Sequence, residues 1–350
     1  MPPTLTPAKA AALADGVVIP AHPLALDARR QLDERRQRAL TRYYVASGAG
    51  GVAVGVHTTQ FEIRDVGLLE PVLRLAAQTA DEEAGAAFLK VAGVVGDAEQ
   101  ALREAELAAS LGYDLQLLSF RGLEHKSESG LIDHALALST VLPVLGFYLQ
   151  TAVGGRRLSH AFWRDFAELP GVVGIKVAPF DRYATLDVVR AVAASSRSDE
   201  IALYTGNDDN IVTDLLTPFR VTVAGRLVEK RFVGGLLGQW AVWTRGAVEL
   251  LDEIKRVRGS GAIPSDLLAR AASLTDANAA VFDAANGFHG VIAGVHEVLR
   301  RQGLLEGTWC LDPAEGLSPG QAEELERVAR EHPELTDDEF VAAHLSGWLD

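Results

Sequence analysis

The chain has little cysteine and no long apolar run, and each shortage excludes a class of protein. Cys310 is the single cysteine among 350 residues, which excludes an internal disulfide and a zinc cluster built from cysteines. A chain so poor in cysteine suits a reducing compartment, so we expect a cytoplasmic protein. No run of about 18 apolar residues is present, and no membrane span is predicted. The proline-rich start lacks the apolar core of a signal peptide.

Positive charge is also in short supply. The sequence has 33 lysine and arginine residues against 47 aspartate and glutamate residues, which gives a net charge of −14. Because an anionic surface repels nucleic acids and anionic lipids, we expect neither nucleic acid nor a membrane as a partner. Only six of the basic residues are lysines. A lysine inside an apolar segment of this chain is therefore a candidate for chemistry.

Short apolar segments alternate with helical patterns along residues 15–238. The segments lack polar alternation, which is typical of parallel strands covered on both faces. The predicted strands occupy residues 16–20, 50–56, 88–95, 113–118, 142–148, 172–176, 201–205 and either 221–224 or 232–236. Eight such units predict an α/β fold, a (β/α)8 TIM barrel. A doubly wound open sheet is the alternative, but no GxGxxG motif follows the first strand.

The rest of the chain divides around this barrel. Residues 1–14 form a predicted N-terminal arm, and residues 15–238 form the barrel itself. Residues 239–350 carry several helical patterns, which predict a C-terminal helical region packed on the barrel or between subunits.

Lys176 is the leading catalytic candidate. It follows the apolar run from Val172 to Ile175, and a proline turn comes next. Desolvation at the end of a buried strand favours the neutral amine, which is the form that attacks carbonyl groups. A lysine that reaches solvent or pairs with a carboxylate is the alternative. Lys90 precedes the apolar core of its own strand, so we place it near the opposite end of the barrel.

Active sites of such barrels lie at the carboxyl ends of the strands. The polar residues expected there are His22, His57, Thr58, Thr59, Gln60, Ser119, Tyr148 and Asn207 to Asp209. The Tyr148 phenol can transfer protons, and hydroxyls with backbone amides can hold a carboxylate. Structural roles are the alternative for the tyrosine, the histidines and an Asp208-Asp209 turn. A divalent cation held by His22, His57, Asp208 and Asp209 is a further alternative, although no HxH or HExxH spacing supports it.

The order of these features resembles the dihydrodipicolinate synthase and N-acetylneuraminate lyase family of class I aldolase-like barrels. The family's lysine pattern is matched by Gly174-Ile175-Lys176, and its tyrosine after a proline-led apolar run is matched by Pro143 to Tyr148. The remaining matches are His22-Pro23-Leu24, Val56 to Gln60, Gly206 to Asp208 and Phe288 to Gly307. The resemblance covers about residues 15–330.

The resemblance implies a lyase of the aldolase or dehydratase type. In that reading Lys176 forms a Schiff base with a 2-keto acid or a related small-molecule carbonyl compound, and Tyr148 transfers protons. Substrate contacts are implied for His57, Thr58, Thr59, Gly206 and Asn207. The resemblance also implies no metal, no other cofactor, and a homo-oligomer.

Departures from the family pattern bear on the substrate. Ser119-Phe120-Arg121 stands where the synthases carry a tyrosine pair, and Val153 falls where they carry a carboxylate-binding arginine. The segment from Val56 to Gln60 lacks the family's glycine and glutamate. We therefore expect neither the standard synthase nor the standard sialic-acid lyase activity. Two alternatives stay open, which are a barrel that binds a carbonyl ligand without turnover and a divalent-metal-dependent aldolase.

Overall fold

The apolar segments form a closed barrel in the computed structural model, which describes residues 2–350. Over these residues the strands are β1 (Val18–Pro20), β2 (Gly51–Val54), β3 (Leu89–Val94), β4 (Leu115–Leu118), β5 (Val144–Leu149), β6 (Val172–Ala178), β7 (Ala202–Thr205), β8 (Phe219–Val223), β9 (Arg226–Lys230) and β10 (Phe232–Leu237). All except β8 and β9 pair in parallel, in the order β2-β3-β4-β5-β6-β7-β10-β1. The Gly50 N–H donates to Val18 O and the His22 N–H donates to Ala53 O, so β1 also joins β2 and closes the barrel.

The helices alternate with the strands and then continue alone. Over residues 2–350 they are α1 (Pro7–Asp15), α2 (Glu34–Ala46), α3 (Leu69–Glu83), α4 (Ala98–Ser110), α5 (Glu128–Leu138), α6 (His160–Ala167), α7 (Arg182–Ala194), α8 (Ile211–Leu216), α9 (Thr244–Arg258), α10 (Ser265–Val281), α11 (Val291–Arg301), α12 (Gln321–Glu331) and α13 (Asp338–Trp348). The predicted (β/α)8 TIM barrel with a C-terminal helical region is confirmed. None of the helices in the described chain is long and apolar enough to cross a membrane.

The structure shows which segment is the eighth barrel strand and where the helix after β1 begins. The eighth barrel strand is β10, whereas β8 pairs with β9 in an antiparallel hairpin outside the barrel. At the hairpin tip Ala224 and Gly225 have φ angles of 46° and 79°, as a tight two-residue turn requires. The helix that follows β1 begins at Glu34. Asp33 caps it by accepting the Arg36 N–H at 3.0 Å.

Alternate residues of β5 lie on opposite sides of the barrel wall. Leu145, Phe147 and Leu149 pack inside the barrel. Val144 and Tyr148 pack with the side chains of the surrounding helices. This alternation follows from the two-residue period of a strand. The pairing register therefore decides which side chains reach the barrel interior.

The last helix is anchored to the helical layer of the barrel. The Tyr43 hydroxyl of α2 donates to Asp337 Oδ2 at 2.7 Å, immediately before α13 begins. The rings of Tyr43 and Trp348 lie 5.5 Å apart. The segment beyond residue 330 is therefore packed against the barrel of its own chain.

Candidate active site

Lys176 lies on the inner side of β6, toward the carboxyl end of the strand. Its partners on the neighbouring strands are Phe147 of β5 and Tyr204 of β7. The lysine is 7% exposed, and its Nζ lies 4.1 Å from the centroid of the Phe147 ring. Ile175 and Val177 pack in the outer layer, so the strand alternation turns Lys176 inward. The strand thus delivers its amine to the barrel interior.

The Lys176 amine is buried without a bound carboxylate. Within residues 2–350 it forms neither an ion pair nor a hydrogen bond. Desolvation lowers its pKa to about 8, and the negative charge of Asp208 opposes that shift. Lys90 is equally buried, but its Nζ lies 2.5 Å from Asp81 Oδ1. Because a neutral amine is the nucleophilic form, the lowered pKa favours Lys176 as a nucleophile, whereas the Lys90 amine is held in an ion pair.

A cavity of about 60 Å³ opens beside this amine. Barrel residues line it together with Phe282, Phe288 and Val291, which come from the C-terminal region. The titratable side chains in the lining are His57, Lys176 and Asp208, and most of the others are apolar. One water-sized sphere occupies about 10–15 Å³ on this measure, so the space suits a ligand of a few non-hydrogen atoms.

A larger cavity, of about 660 Å³, lies at the opposite end of the barrel. It is lined by Val173, Ala202 and Val233 from the amino ends of their strands and by the arm before α1. Its lysine, Lys230, donates to the Ser198 carbonyl. Catalysis in such barrels occurs at the carboxyl ends of the strands, so the smaller cavity is the candidate active site.

Gly206, directly after β7, lines the cavity and lets the lysine pass. A Cβ at this position would lie 2.7 Å from Lys176 Cε and 2.7 Å from Ala178 Cβ. Carbon atoms in good contact are about 3.5–4.0 Å apart. The absence of a side chain at Gly206 is therefore required by the path of the Lys176 side chain.

His57 and Thr58 also line the cavity. The Thr58 hydroxyl donates to Ala21 O at 2.8 Å, which leaves it able to accept a hydrogen bond. Desolvation, with smaller contributions from the positive charges of Lys176 and Arg121, lowers the pKa of His57 to about 4. His57 is therefore neutral at physiological pH and carries one ring N–H donor.

Thr59 faces away from the cavity, in contrast to its predicted role. Its hydroxyl donates to His22 O at 2.7 Å. The Thr59 Oγ1 atom also accepts the N–H groups of Gly55 and Val56, at 3.0 and 3.2 Å. These bonds use the hydroxyl fully, so Thr59 shapes the loop that carries its two neighbours.

Asn207 likewise supports the site without lining it. Its Oδ1 accepts the Phe180 N–H at 3.0 Å, and its Nδ2 donates to Asp214 Oδ2 at 2.9 Å. Phe180 has a φ of 51°, a left-handed conformation that is strained for a large residue. Phe180 lines the cavity and packs 5.8 Å from the Phe288 ring. The Asn207 amide is therefore engaged in holding Phe180, and its substrate contact stays a prediction that this geometry does not support.

Tyr148 lies on the opposite side of the barrel wall from Lys176. Its ring packs 5.0 Å from the Trp163 ring, and its hydroxyl donates to Leu158 O at 3.5 Å. The β5–β6 register pairs Phe147 with Lys176 and places Tyr148 one residue further on, facing outward. The expectation that Tyr148 transfers protons at the lysine is therefore not met by the geometry.

Asp208 was expected at this end of the barrel as a turn residue or a metal ligand, and the structure adds the burial that makes it a candidate acid or base. It is 7% exposed, lines the cavity and accepts the Gln239 N–H on Oδ1 at 3.0 Å. Burial raises the pKa of its carboxyl to about 7, partly offset by this hydrogen bond and by the charge of Lys176. The available signal was an Asp-Asp pair after the seventh strand. A solvated turn gives the same pattern, so only the burial distinguishes the two.

The residues considered as metal ligands near the cavity do not converge. The His22 ring contacts Pro23 O at 2.8 Å and Thr41 Oγ1 at 2.9 Å, so both of its nitrogens are engaged. Asp209 is exposed and lines a different cavity. His22 and Asp209 are therefore not placed to bind a cation together with the other two candidate ligands, His57 and Asp208.

A group with the spacing of metal ligands occurs in the C-terminal helices instead. Asp276, Glu331 and His332 place one ligand atom each within 4.8 Å of the others, and they are the only such group in residues 2–350. Arg327 lies 2.9 Å from both Asp276 and Glu331. A guanidinium in that position neutralises the carboxylates that a cation would need.

Fold and site together define a class of protein, a (β/α)8 barrel with a buried, unpaired lysine at the carboxyl end of its sixth strand. No protein-family model matches the sequence, and no curated protein matches it. Solved structures do match over most of their length.

Three of these structures illustrate the TM-scores and sequence identities of the matches. A dihydrodipicolinate synthase from Oceanobacillus iheyensis has a TM-score of 0.71 at 17% identity, covering 91% of this chain and 96% of its own. An N-acetylneuraminate lyase from Fusobacterium nucleatum, complexed with pyruvate, has a TM-score of 0.70 at 16% identity. This match covers 91% of this chain and 98% of the lyase. A prophage protein of the dihydrodipicolinic acid synthase family from E. coli K12, also in complex with pyruvate, has a TM-score of 0.73 at 18% identity. This match covers 90% of this chain and 97% of the prophage protein. At such identities the similarity shows a shared fold, and at that level the resemblance seen in the sequence is confirmed.

Proposed function

We propose that the protein is a Schiff-base-forming lyase that acts on a small carbonyl compound through Lys176. The observation that carries this proposal is a buried amine with a lowered pKa and no ion-pair partner, facing a small cavity at the catalytic end of the barrel. A neutral amine adds to a carbonyl and loses water to give an iminium ion, which draws electrons from the adjacent bond. The pyruvate complexes of proteins with this fold support the same chemistry.

A 2-keto acid fits the cavity in size and in donors. The neutral His57 ring offers one N–H, and the backbone N–H groups of His57 and Thr58 open the 3₁₀ helix His57–Thr59 without an acceptor inside that helix. These donors would hold one carboxylate. The described lining contains no arginine, so we propose a monocarboxylate rather than a dicarboxylate as substrate.

The remaining wall of the cavity favours an apolar substituent. The rings of Phe147, Phe180, Phe282 and Phe288 line it. Hydroxyl groups of a sugar acid would lose their hydration there without protein partners, at a cost of about 1–3 kcal/mol each. We therefore propose a short keto acid or ketone with an aliphatic remainder.

Reduction with borohydride in the presence of pyruvate and a panel of short ketones tests the proposal. We expect a covalent adduct on the peptide that contains Lys176, detected by mass spectrometry. Lys176→Ala should abolish it. Lys90→Ala removes a lysine of equal burial and should leave the yield unchanged. A folded wild-type protein that gives no adduct on Lys176 with any member of the panel would refute the proposal.

The outward position of Tyr148 favours one second candidate, a barrel that binds a carbonyl ligand without turnover. A ligand that binds the folded state stabilises it by RT ln(1 + [L]/Kd), so the stabilisation rises with the logarithm of ligand concentration above Kd. In this case pyruvate would raise the melting temperatures of wild type and Lys176→Ala equally, and no product would form. A shift that requires Lys176 would favour the lyase.

A further inference from the structure

Schiff-base formation requires a group that moves protons beside the amine. The lysine must lose a proton before it attacks, and the hydroxyl of the carbinolamine must gain one before it leaves as water. The group must therefore lie in the same cavity as Lys176 and hold or release a proton near neutral pH. Tyr148 does not meet the first condition, because it packs against Trp163 outside the barrel.

Two side chains in the cavity besides the lysine can titrate. His57 is disfavoured as a base because desolvation and the neighbouring cations lower its pKa to about 4. Asp208 has the opposite perturbation, because burial raises the pKa of its carboxyl. A carboxyl that titrates near neutrality can both accept and return a proton at physiological pH.

Asp208 is also held in place by hydrogen bonds from two elements of the fold. Its Oδ1 accepts the Gln239 N–H after β10, and its backbone carbonyl accepts Asn278 Nδ2 of α10 at 2.5 Å. The adjacent Asp209 carbonyl accepts the Thr275 hydroxyl of α10 at 3.0 Å. The second carboxyl oxygen of Asp208 has no donor among the described residues. A fixed carboxylate with one free oxygen is suited to proton transfer.

We infer that Asp208, rather than Tyr148, is the residue that transfers protons at Lys176. The inference rests on the proposed function. Because Lys176 and Asp208 make no direct hydrogen bond, the Lys176 ammonium gives a proton to the Asp208 carboxylate through one water molecule. The neutral amine then forms a C–N bond with the carbonyl carbon while the carbonyl oxygen gains the amine proton. The protonated carboxyl then gives its proton to that hydroxyl as the C–O bond breaks. The products are the iminium ion, water and the Asp208 carboxylate, so atoms and charge balance.

The charges around Asp208 are consistent with this exchange. Lys176 on β6 favours the carboxylate, and Asp209 beside it favours the neutral acid. Arg182 of α7 acts on Asp209, while His57 across the cavity is neutral. The elements that hold Asp208 from β10 and α10 contribute neutral groups. Lys176 is therefore the main charged partner of the Asp208 carboxyl.

Condensation with acetylacetone tests the inference without knowledge of the natural substrate. This 1,3-diketone forms an enaminone with a nucleophilic lysine, and the product absorbs in the near ultraviolet. Asp208→Asn keeps an oxygen for the Gln239 N–H but cannot carry a proton. We expect its rate to fall by about 10²–10⁴-fold, the usual contribution of general acid–base catalysis. Asp209→Asn and Tyr148→Phe are the matched controls and should react within about threefold of wild type.

A second variant separates proton transfer from folding. Asp208→Ala leaves space for a small acid, so added formate should restore a large part of the rate. An Asp208→Asn rate within about threefold of wild type would overturn the inference, and so would a slow Asp208→Ala that formate does not restore. Both results would leave the proposed function intact if wild type still forms its adduct on Lys176. Failure of wild type to react would reject the proposed function and the inference together.

Discussion

The close approach of Gly206 to Lys176 makes a single methyl group informative. Gly206→Ala would place a Cβ 2.7 Å from Lys176 Cε, 3.1 Å from its Cγ and 2.7 Å from Ala178 Cβ. The two 2.7 Å distances fall short of a normal carbon–carbon contact by roughly 1 Å, and the 3.1 Å distance falls short by roughly half an ångström or more. The lysine chain can move, but the Ala178 Cβ is fixed to β6. The substitution must therefore displace the amine, the strand end or both.

The substitution should affect both the stability of the protein and the reactivity of the amine, and the two effects differ in size. Overpacking of this kind costs about 1–3 kcal/mol of unfolding free energy. An unfolding entropy of about 2.1 cal/mol/K per residue converts this cost into a fall of roughly 1–4 °C in Tm for a chain of this length. A shift of about 1 Å in a reacting group costs on the order of 100-fold in rate. We therefore expect a small loss of stability and a large loss of reactivity.

Calorimetry and the rate of acetylacetone condensation measure the two effects on the same samples. Gly85→Ala is the control, because a Cβ there meets no atom within 4 Å and the residue is exposed. It should change neither quantity. If Gly206→Ala reacts as fast as wild type with an unchanged Tm, the packing argument for the lysine is wrong.

Three further predictions follow from the same structure. Competitive labelling with acetic anhydride should give Lys176 a half-maximal rate near pH 8, since desolvation lowers its pKa and only the neutral amine reacts; a midpoint near 10 would mean that the amine is solvated. Asp337→Ala should lower the unfolding free energy by about 1–3 kcal/mol in urea, because it leaves the buried Tyr43 hydroxyl without its 2.7 Å acceptor; a change below about 0.5 kcal/mol would contradict this. Phe180→Ala removes one ring of the pair with Phe288 and should admit bulkier ketones, so trapping of phenylpyruvate should rise at least tenfold relative to pyruvate, and an unchanged ratio would show that this pair does not limit access.

The barrel and its lysine were predictable because their signals are local. A strand buried on both faces needs an unbroken apolar run, and such runs can be read directly in the sequence. The apolar run before Lys176 also predicts a desolvated amine. Burying the charge of a single lysine among β-branched residues costs free energy, which favours the neutral amine. Ordered motifs then indicated the type of barrel that solved structures of the same fold confirm.

The rest of the site depended on tertiary structure. Tyr148 and Phe147 are adjacent in sequence, and the register of β5 against β6 alone decides that the phenylalanine faces the lysine. A one-residue difference in register moves a side chain to the other face of a strand, and no local pattern encodes it. Asp208 is fixed in its buried position by hydrogen bonds from Gln239 and Asn278, which are distant in sequence. The sequence by itself determined the barrel and the buried amine, whereas only the packing of distant segments decided which acid and which rings lie beside that amine.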